Sequence, residues 1–182
     1  MEHDKTFRGN ASQFFVADKL CRRGYSAVVT LGNTPNFDVL CSNRAGTQFA
    51  NIQVKTFLPG NKTCSVRMKT HRDFGPSFFW ILAGIPSPES SRSFEYYIIP
   101  SKDMAENVSP AHDLWLKTPG AKGQAHKDSK VRTVHLPPHK SFSGWDISQY
   151  LNRWDLIEEK MKTEPSAGAD GLLPATQPYV ID

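Results

Sequence analysis

An α/β fold is predicted for the 182-residue chain, with a mixed central sheet of about five strands flanked by helices. Three observations predict it. Residues 6–23 carry apolar side chains at helical spacing, and residues 49–56 alternate between two faces as a strand does. Residues 78–85 are almost entirely apolar, which is typical of a strand buried at the centre of a sheet. The order helix, strands, helix is therefore expected to form one layered core.

Composition limits the class of protein. A hydrophobic content of 38% suits one compact domain, expected over residues 1–162, and the Pro-, Ala- and Gly-rich tail 163–182 is expected to be disordered. No run of about 18 apolar residues is found, and the charged start MEHDKTFR lacks the apolar centre of a signal peptide. We therefore expect no membrane span and a cytoplasmic location.

The three cysteines are Cys21, Cys41 and Cys64, an odd number without CxxC spacing. This argues against a disulfide framework and a zinc knuckle, so buried or half-buried thiols are expected. The four histidines between 112 and 139 also lack the spacing of a zinc-binding helix or finger. Glycine loops of the GxxxxGK type and GxSxG elbows are absent from the sequence, which disfavours nucleotide hydrolysis and acyl transfer.

The first helix is predicted over residues 6–23, ended by Gly24. Its inward face is expected to carry residues at i, i+3, i+4 and i+7, namely Gln13, Val16, Ala17 and Leu20. An alternative is that Asn10 and Gln13 form a capping box, which would make the helix begin later.

The later elements follow from alternation, turn residues and caps. A strand is predicted over residues 63–69, with Arg67 and Lys69 on one face, and another over residues 94–100. Ser101 is the expected N-cap of a short helix that ends near Asn107. A last helix is predicted from Trp145 to Lys162, because its apolar residues recur near a 3.6-residue period.

Charged and amide groups stand inside an apolar setting in the stretch 36–56. Asp38 lies between Phe37 and Val39, and a turn at residues 42–46 would bring the next strand back beside it. Gln53 and Lys55 share one face of that next strand. A buried charge is costly unless it is paired, hydrogen-bonded or bound to a metal, so this convergence calls for a chemical explanation.

These residues resemble the PD-(D/E)xK nuclease superfamily, which has a restriction-endonuclease-like and Holliday-junction-resolvase-like core. The resemblance lies in an Asp near the start of a strand, a hairpin, and a (D/E/Q)-x-K tripeptide, here Asp38 and the QxK variant Gln53-Val54-Lys55. The preceding helix, Arg23-Gly24-Tyr25 and Gly32-Asn33-Thr34-Pro35 fit the same order, so the resemblance covers roughly residues 5–100.

The resemblance implies metal-dependent hydrolysis of DNA phosphodiester bonds, with Mg²⁺ or Mn²⁺ as cofactor. Asp38, the amide oxygen of Gln53 and the Val54 carbonyl would be metal ligands, and Lys55 would orient the attacking water. Gln13 stands where the family's first helix usually contributes a Glu. With Gln at positions 13 and 53, Asp38 is the one sure carboxylate of the predicted site.

Net charge is +4, but its distribution is uneven. The segment 117–140 holds six basic residues against Asp128 alone, a local charge of +5. Such a loop is typical of a surface that follows a phosphate backbone, although a solvated insertion rich in Lys is an equal alternative. The predicted nucleic-acid contacts are Arg67, Lys69, Lys122, Lys127, Lys130 and Arg132.

Two other functions remain open on the sequence. A catalytically inactive relative would bind nucleic acid through the same cations. A protein-interaction module would use its inward polar residues as a structural network, with Asp38 and Lys55 paired directly. DNA is the expected partner, without a membrane, and the sequence leaves a homodimer open.

Overall fold

The computed structural model describes residues 5–30 and 36–162, and within them a five-stranded mixed sheet forms the centre. Its strand order is β1-β2-β3-β5-β6, and a separate two-stranded sheet joins β4 to β7. The strands are β1 (Ser26–Val29), β2 (Val39–Ser42), β3 (Phe49–Phe57), β4 (Thr63–Arg67), β5 (Phe78–Gly84), β6 (Glu95–Pro100) and β7 (Val131–His135). The helices are α1 (Lys5–Cys21), α2 (Ser101–Lys117) and α3 (Asp155–Met161). The predicted α/β class with a mixed sheet is confirmed.

The central strand pair is parallel, whereas the other neighbours in the five-stranded sheet are antiparallel. All seven residues of β5 are buried, as its apolar composition predicts. One face of the sheet packs against α1 and α3, through Ile52 and Val54 of β3. The other face packs against α2 and the β4–β7 pair, through Trp80 and Leu82 of β5. The alternation along β3 thus divides two cores of different composition.

Helix α1 lies where the sequence predicts it, but the capping-box alternative is wrong. The chain is already helical from Lys5, so Asn10 and Gln13 lie inside the helix and not at its start. Cys41 and Cys64 are buried as expected, whereas Cys21 at the end of α1 is exposed, which corrects the prediction for that thiol. The α1 stripe that faces the sheet includes Val16 and Leu20, and Cys21 falls beside it.

The predicted strand 63–69 is shorter than expected. It ends at Arg67, and Met68–His71 form a 3-10 turn. The buried Thr70 hydroxyl closes this turn by donating to the Arg67 carbonyl at 2.7 Å. Lys69 therefore leaves the strand and does not share a strand face with Arg67.

Helix α2 is longer than predicted and has a different start. It runs to Lys117, well past Asn107, with Pro110 inside it. Its buried Met104, Val108 and Ala111 keep one stripe against the sheet, so packing overrides the local cost of a proline. Ser101 is the first helical residue, and its hydroxyl accepts a hydrogen bond from the Phe74 N–H at 2.8 Å, so the N-cap prediction is wrong.

The basic segment 117–140 is not a loop throughout. Lys117 belongs to α2, and β7 pairs antiparallel with β4 over five residue pairs. The strand alternates, so that Arg132 and Val134 point inward while Val131 and Thr133 are exposed. The prediction of a basic loop, and the alternative of a solvated insertion, are therefore both wrong for residues 131–135.

The predicted helix from Trp145 to Lys162 is also wrong, apart from its last part. A 3-10 turn covers Ser148–Tyr150, Asn152 has a φ of 55°, and only α3 is an α-helix. Ile147 packs on one face of the sheet and Ile157 on the other, because this segment passes around the edge strand β6. The apparent 3.6-residue period combined side chains that serve two separate cores.

Some predictions fall outside what the structure covers. The expected tail at 163–182 and the whole of the Gly32-Asn33-Thr34-Pro35 segment before Asp38 lie outside the described residues. Among the helices of residues 5–30 and 36–162, none combines the length and apolar character that crossing a membrane would require.

Candidate active site

The side chains of Asp38, Gln53 and Lys55 share the face of the sheet that carries α2 and the β4–β7 pair. Val39 lies opposite Ile52 in the β2–β3 register, and the Asp38 N–H donates to the Ile52 carbonyl at 2.8 Å. Val39 and Ile52 belong to the α1 face, so the residues next to them point to the other face. The register places Asp38 beside Gln53, as the sequence predicts.

A chain of hydrogen bonds runs from an anion through an amide to a cation. Oδ2 of Asp38 accepts from the Val54 N–H at 2.8 Å and from Nε2 of Gln53. Oε1 of Gln53 accepts from Nζ of Lys69. Gln53 is only 4% exposed. Its two hydrogen bonds hold the amide nitrogen towards the carboxylate and the amide oxygen towards the ammonium. The buried polar group is thus satisfied at both ends.

Lys55 is the cation of this group without a partner. It is half-buried, and it makes no hydrogen bond or ion pair with any residue that the structure describes. Burial lowers the pKa of Lys55, and the Asp38 carboxylate opposes that shift. The interpretation in which Asp38 and Lys55 form a direct pair is therefore wrong, because Asp38 is bound by Gln53 and the backbone instead.

Lys69 lies in the same electrostatic environment. Burial lowers the pKa of Lys69, and the neighbouring Lys55 lowers it further. Its Nζ lies 5.8 Å from the centroid of the Trp80 ring, within the range of a cation–π contact. The sequence predicted Lys69 as a flanking cation but gave no sign of its bond to Gln53, since that bond depends on the 3-10 turn after β4.

Two oxygen atoms at this point lack strong partners. β2 stops pairing with β3 at Val39 and Ile52, and the Val54 N–H turns to the Asp38 side chain. The Val54 carbonyl lies on the same edge, and from the described residues it receives only a long 3.5 Å contact, from Nε2 of Gln53. Oδ1 of Asp38 accepts no hydrogen bond within the described part of the chain.

These oxygens fit a hard divalent cation. Mg²⁺ is commonly held by one or two carboxylates together with waters and substrate phosphate oxygens, and backbone carbonyls are acceptable ligands. The fit is minimal, because the described residues contain no group of three or more His, Cys, Asp or Glu side chains suited to a metal. Gln53 stays a predicted ligand, although its amide oxygen here accepts from Lys69.

Gln13 is not brought into this network. It lies half-buried on α1, which packs on the opposite face of the sheet, and it forms no hydrogen bond with the described residues. The polar contact from α1 to β3 is made by the neighbouring Ser12, whose buried hydroxyl lies 2.6 Å from that of Thr56. A catalytic role for Gln13 remains a prediction.

The predicted nucleic-acid contacts divide into two groups. Lys122, Lys127 and Lys130 are exposed, as is Arg67, which influences the pKa of both Lys55 and Lys69. Arg132 differs, since it is only 3% exposed.

The Arg132 guanidinium is bound internally. Nε donates to His71 at 2.8 Å, and another nitrogen donates to Asp128 at 3.2 Å and to the Val131 carbonyl at 2.9 Å. These contacts tie the loop before β7 to the 3-10 turn that carries Lys69. Arg132 is therefore built into the structure and is poorly placed for a phosphate.

No protein-family profile and no curated protein sequence matches the chain. Among the solved structures with a similar backbone are two nucleases. The bacterial homing endonuclease I-Ssp6803I is 16% identical over 86% of this chain and 94% of its own, with a TM-score of 0.49. A Holliday junction resolvase from Archaeoglobus fulgidus is 13% identical over 70% of this chain and 83% of its own, with a TM-score of 0.39. Both TM-scores are below 0.5, so neither similarity indicates an activity for this chain.

Proposed function

We propose that the chain is a metal-dependent endonuclease that hydrolyses DNA phosphodiester bonds. One observation carries the proposal. Within the described residues, a half-buried carboxylate has one oxygen without a hydrogen bond, a neighbouring backbone carbonyl receives only a long contact, and a lysine without a partner shares that face of the sheet. This combination suits phosphoryl chemistry with a hard cation.

Asp38 and the Val54 carbonyl would hold Mg²⁺ or Mn²⁺. When bound, the ion supplies Lewis-acid stabilisation of the phosphate and lowers the pKa of a bound water. The Gln53 amide and the Val54 N–H keep the Asp38 carboxylate in one orientation through its Oδ2 atom. Oδ1 would then bind the metal without a rearrangement of the side chain.

Lys55 is suited to hold the attacking water or to stabilise charge on the phosphate. Because burial lowers its pKa, its amine loses a proton more readily than an exposed lysine does. Arg67 and Lys69 add positive charge around it, since Arg67 lowers the pKa of both lysines and Lys55 lowers the pKa of Lys69. A site with three cations around one carboxylate favours a polyanionic substrate.

A second function is supported by a specific observation. The amide oxygen of Gln53 accepts from Lys69, and among the described residues Asp38 is the one carboxylate of this hydrogen-bond network. A protein with this arrangement would bind the DNA backbone through Lys55, Lys69 and Arg67 without cutting it. Cleavage assays separate the two functions.

The test uses purified protein with duplex, single-stranded and branched DNA in the presence of Mg²⁺ or Mn²⁺. The endonuclease proposal predicts metal-dependent cleavage that Asp38→Ala abolishes, while DNA binding stays nearly intact. Lys55→Ala should slow the chemical step by a factor on the order of 10² or more with less effect on metal affinity.

Matched controls are Asp18→Ala and Lys62→Ala, which change exposed residues outside the cluster and should cleave as the wild type does. Cleavage that survives Asp38→Ala would refute the assignment of the site. Wild-type protein that binds each DNA but cuts none of them would establish the binding function.

A further inference from the structure

A concave site lies between α2 and β7, and neither Asp38 nor Lys55 lines it. Its cavity has a volume of about 240 Å³. It is lined by eight residues from α2, β7 and the segments beside β7: Ala111, His112, Trp115, Ser129, Val131, Thr133, His135 and Phe142. This is smaller than the pockets that hold drug-sized ligands, and it suits a single planar ring system.

Aromatic rings form much of its wall. Trp115 stacks on His126 with centroids 4.0 Å apart and an interplanar angle of 23°, which fixes the indole plane. Phe142 meets His135 edge to face at 6.0 Å and is 45% exposed. An exposed ring at the mouth of a cavity has a free face, and free aromatic faces are the surfaces on which unstacked nucleobases are held.

Polar groups near the rings can read the edge of a base. The hydroxyl of the exposed Thr133 makes no hydrogen bond with the residues that the structure describes. His112 is oriented by Asp128, with Nε2 and Oδ1 2.9 Å apart. A cavity with stacking faces and a few fixed polar groups has the composition of a base-binding site.

Cations connect this cavity to the candidate active site. Val131, on the cavity wall, is the cross-strand partner of Arg67, so both side chains lie on the same exposed face of the β4–β7 pair. Lys130, next to Val131 in the chain, is also exposed. Arg67 is the cation that also acts on Lys55 and Lys69. Arg67 is thus a cation shared between the surroundings of the active-site lysines and the wall of the cavity.

We propose that the cavity between α2 and β7 binds one unstacked nucleobase of a single-stranded DNA segment, with the adjoining phosphate held by Arg67 and Lys130. The inference rests on the proposed function and specifies its substrate, a duplex end, branch or distorted site that supplies an unpaired base. Base stacking supplies affinity, and the neighbouring cations set the direction of the strand.

The test measures binding by fluorescence anisotropy in EDTA, so that cleavage plays no part. The probes are a thymidine oligomer of about 12 nucleotides, a length within the range that single-strand-binding folds cover, and an abasic oligomer of equal length. Wild-type protein should bind the thymidine oligomer about tenfold more tightly than the abasic one. Phe142→Ala and Trp115→Ala should remove that difference, while Trp115→Phe should keep most of it.

Phe14→Ala is the matched control, because Phe14 is 61% exposed on α1 and lies outside the cavity. Equal affinity of the wild type for both oligomers would overturn the inference, and so would a Phe142→Ala protein that still prefers bases. Since Phe142 is partly exposed, its variant should fold even where Trp115→Ala does not. Metal-dependent cleavage that is lost in Asp38→Ala would still support the active site if the base preference failed.

Discussion

The two faces of strand β3 differ sharply in chemistry although they belong to the same nine residues. Ala50, Ile52 and Val54 are buried in an apolar core against α1 and α3. Gln53 and Lys55 point the other way, into a mixed setting with Asp38 and Lys69. Because strand side chains alternate, a one-residue change of register would exchange the two faces entirely.

This difference shows how a small domain separates stability from chemistry. On the apolar face Ala50, Ile52 and Val54 contribute through burial, and their side chains need no hydrogen-bond partner. On the polar face Gln53 is tolerated only because both ends of its amide are bound. Substitutions on the first face should therefore change stability, whereas those on the second should change chemistry first.

The largest effect on stability is expected from the apolar face. Ile52 is fully buried, so Ile52→Ala should lower the free energy of unfolding by about 2–5 kcal/mol through lost burial and a cavity. Urea denaturation measures this, and cleavage per folded molecule should stay close to that of the wild type. A loss below about 0.5 kcal/mol would contradict the division of roles.

Gln53→Glu tests whether the polar face of β3 binds a metal ion. It replaces the amide donor to Asp38 with a second carboxylate, so the melting temperature in EDTA should fall through like-charge repulsion. Mn²⁺ should then raise the melting temperature of Gln53→Glu more than that of the wild type, because binding to the native state stabilises it. The variant should also need less metal for cleavage. An equal response to Mn²⁺ in both proteins would argue against a metal at this point.

Lys55→Met tests the burial of a cation that has no partner among the described residues. The folded-state pKa of Lys55 is lowered, so the unfolded chain binds more protons between that value and the ordinary lysine pKa near 10.5. Wild-type stability should therefore rise with pH through this window. Lys55→Met should be more stable than the wild type at neutral pH, by an amount that shrinks as the pH approaches 10.5. A variant that is less stable at neutral pH would show that the lysine has a structural partner.

The smallest effect on stability is expected from the exposed lysines. Neutralising Lys122, Lys127 and Lys130 together should leave the melting temperature nearly unchanged, because all three are solvated. Affinity for duplex DNA should fall on any sequence, and its salt dependence should flatten by up to about 0.9 log unit per log salt for each lost contact. Arg132 is left unchanged in this variant because it is buried. An unchanged slope would dismiss these lysines as DNA contacts.

The local pattern of the sequence predicted α1 and the β2–β3 pair well, but it missed β7. Alternation in residues 49–56 placed Gln53 and Lys55 on one face, and the turn at residues 42–46 placed Asp38 beside them. Both of these predictions depend on contacts between residues that are close together in the sequence.

What the sequence missed depends on distant contacts. The path of Lys69 to Gln53 needs the turn that Thr70 closes, and Arg132 is buried by its bonds to His71 and Asp128. The region after Trp145 mixes apolar residues of both faces, so its period resembled that of one helix. Sequence periodicity cannot distinguish one long apolar stripe from two short ones that pack on different layers.

We propose that the polar face of β3 is a metal-binding catalytic site and not a structural network. Crystals soaked in Mn²⁺ separate these two alternatives, because the anomalous signal of the ion locates it without reference to activity. We expect a peak within coordination distance of both the Asp38 carboxylate and the Val54 carbonyl in the wild type, and none there in Asp38→Ala. A wild-type crystal without a peak at these two oxygens, or a peak that persists in Asp38→Ala, would show that these oxygens do not hold the metal.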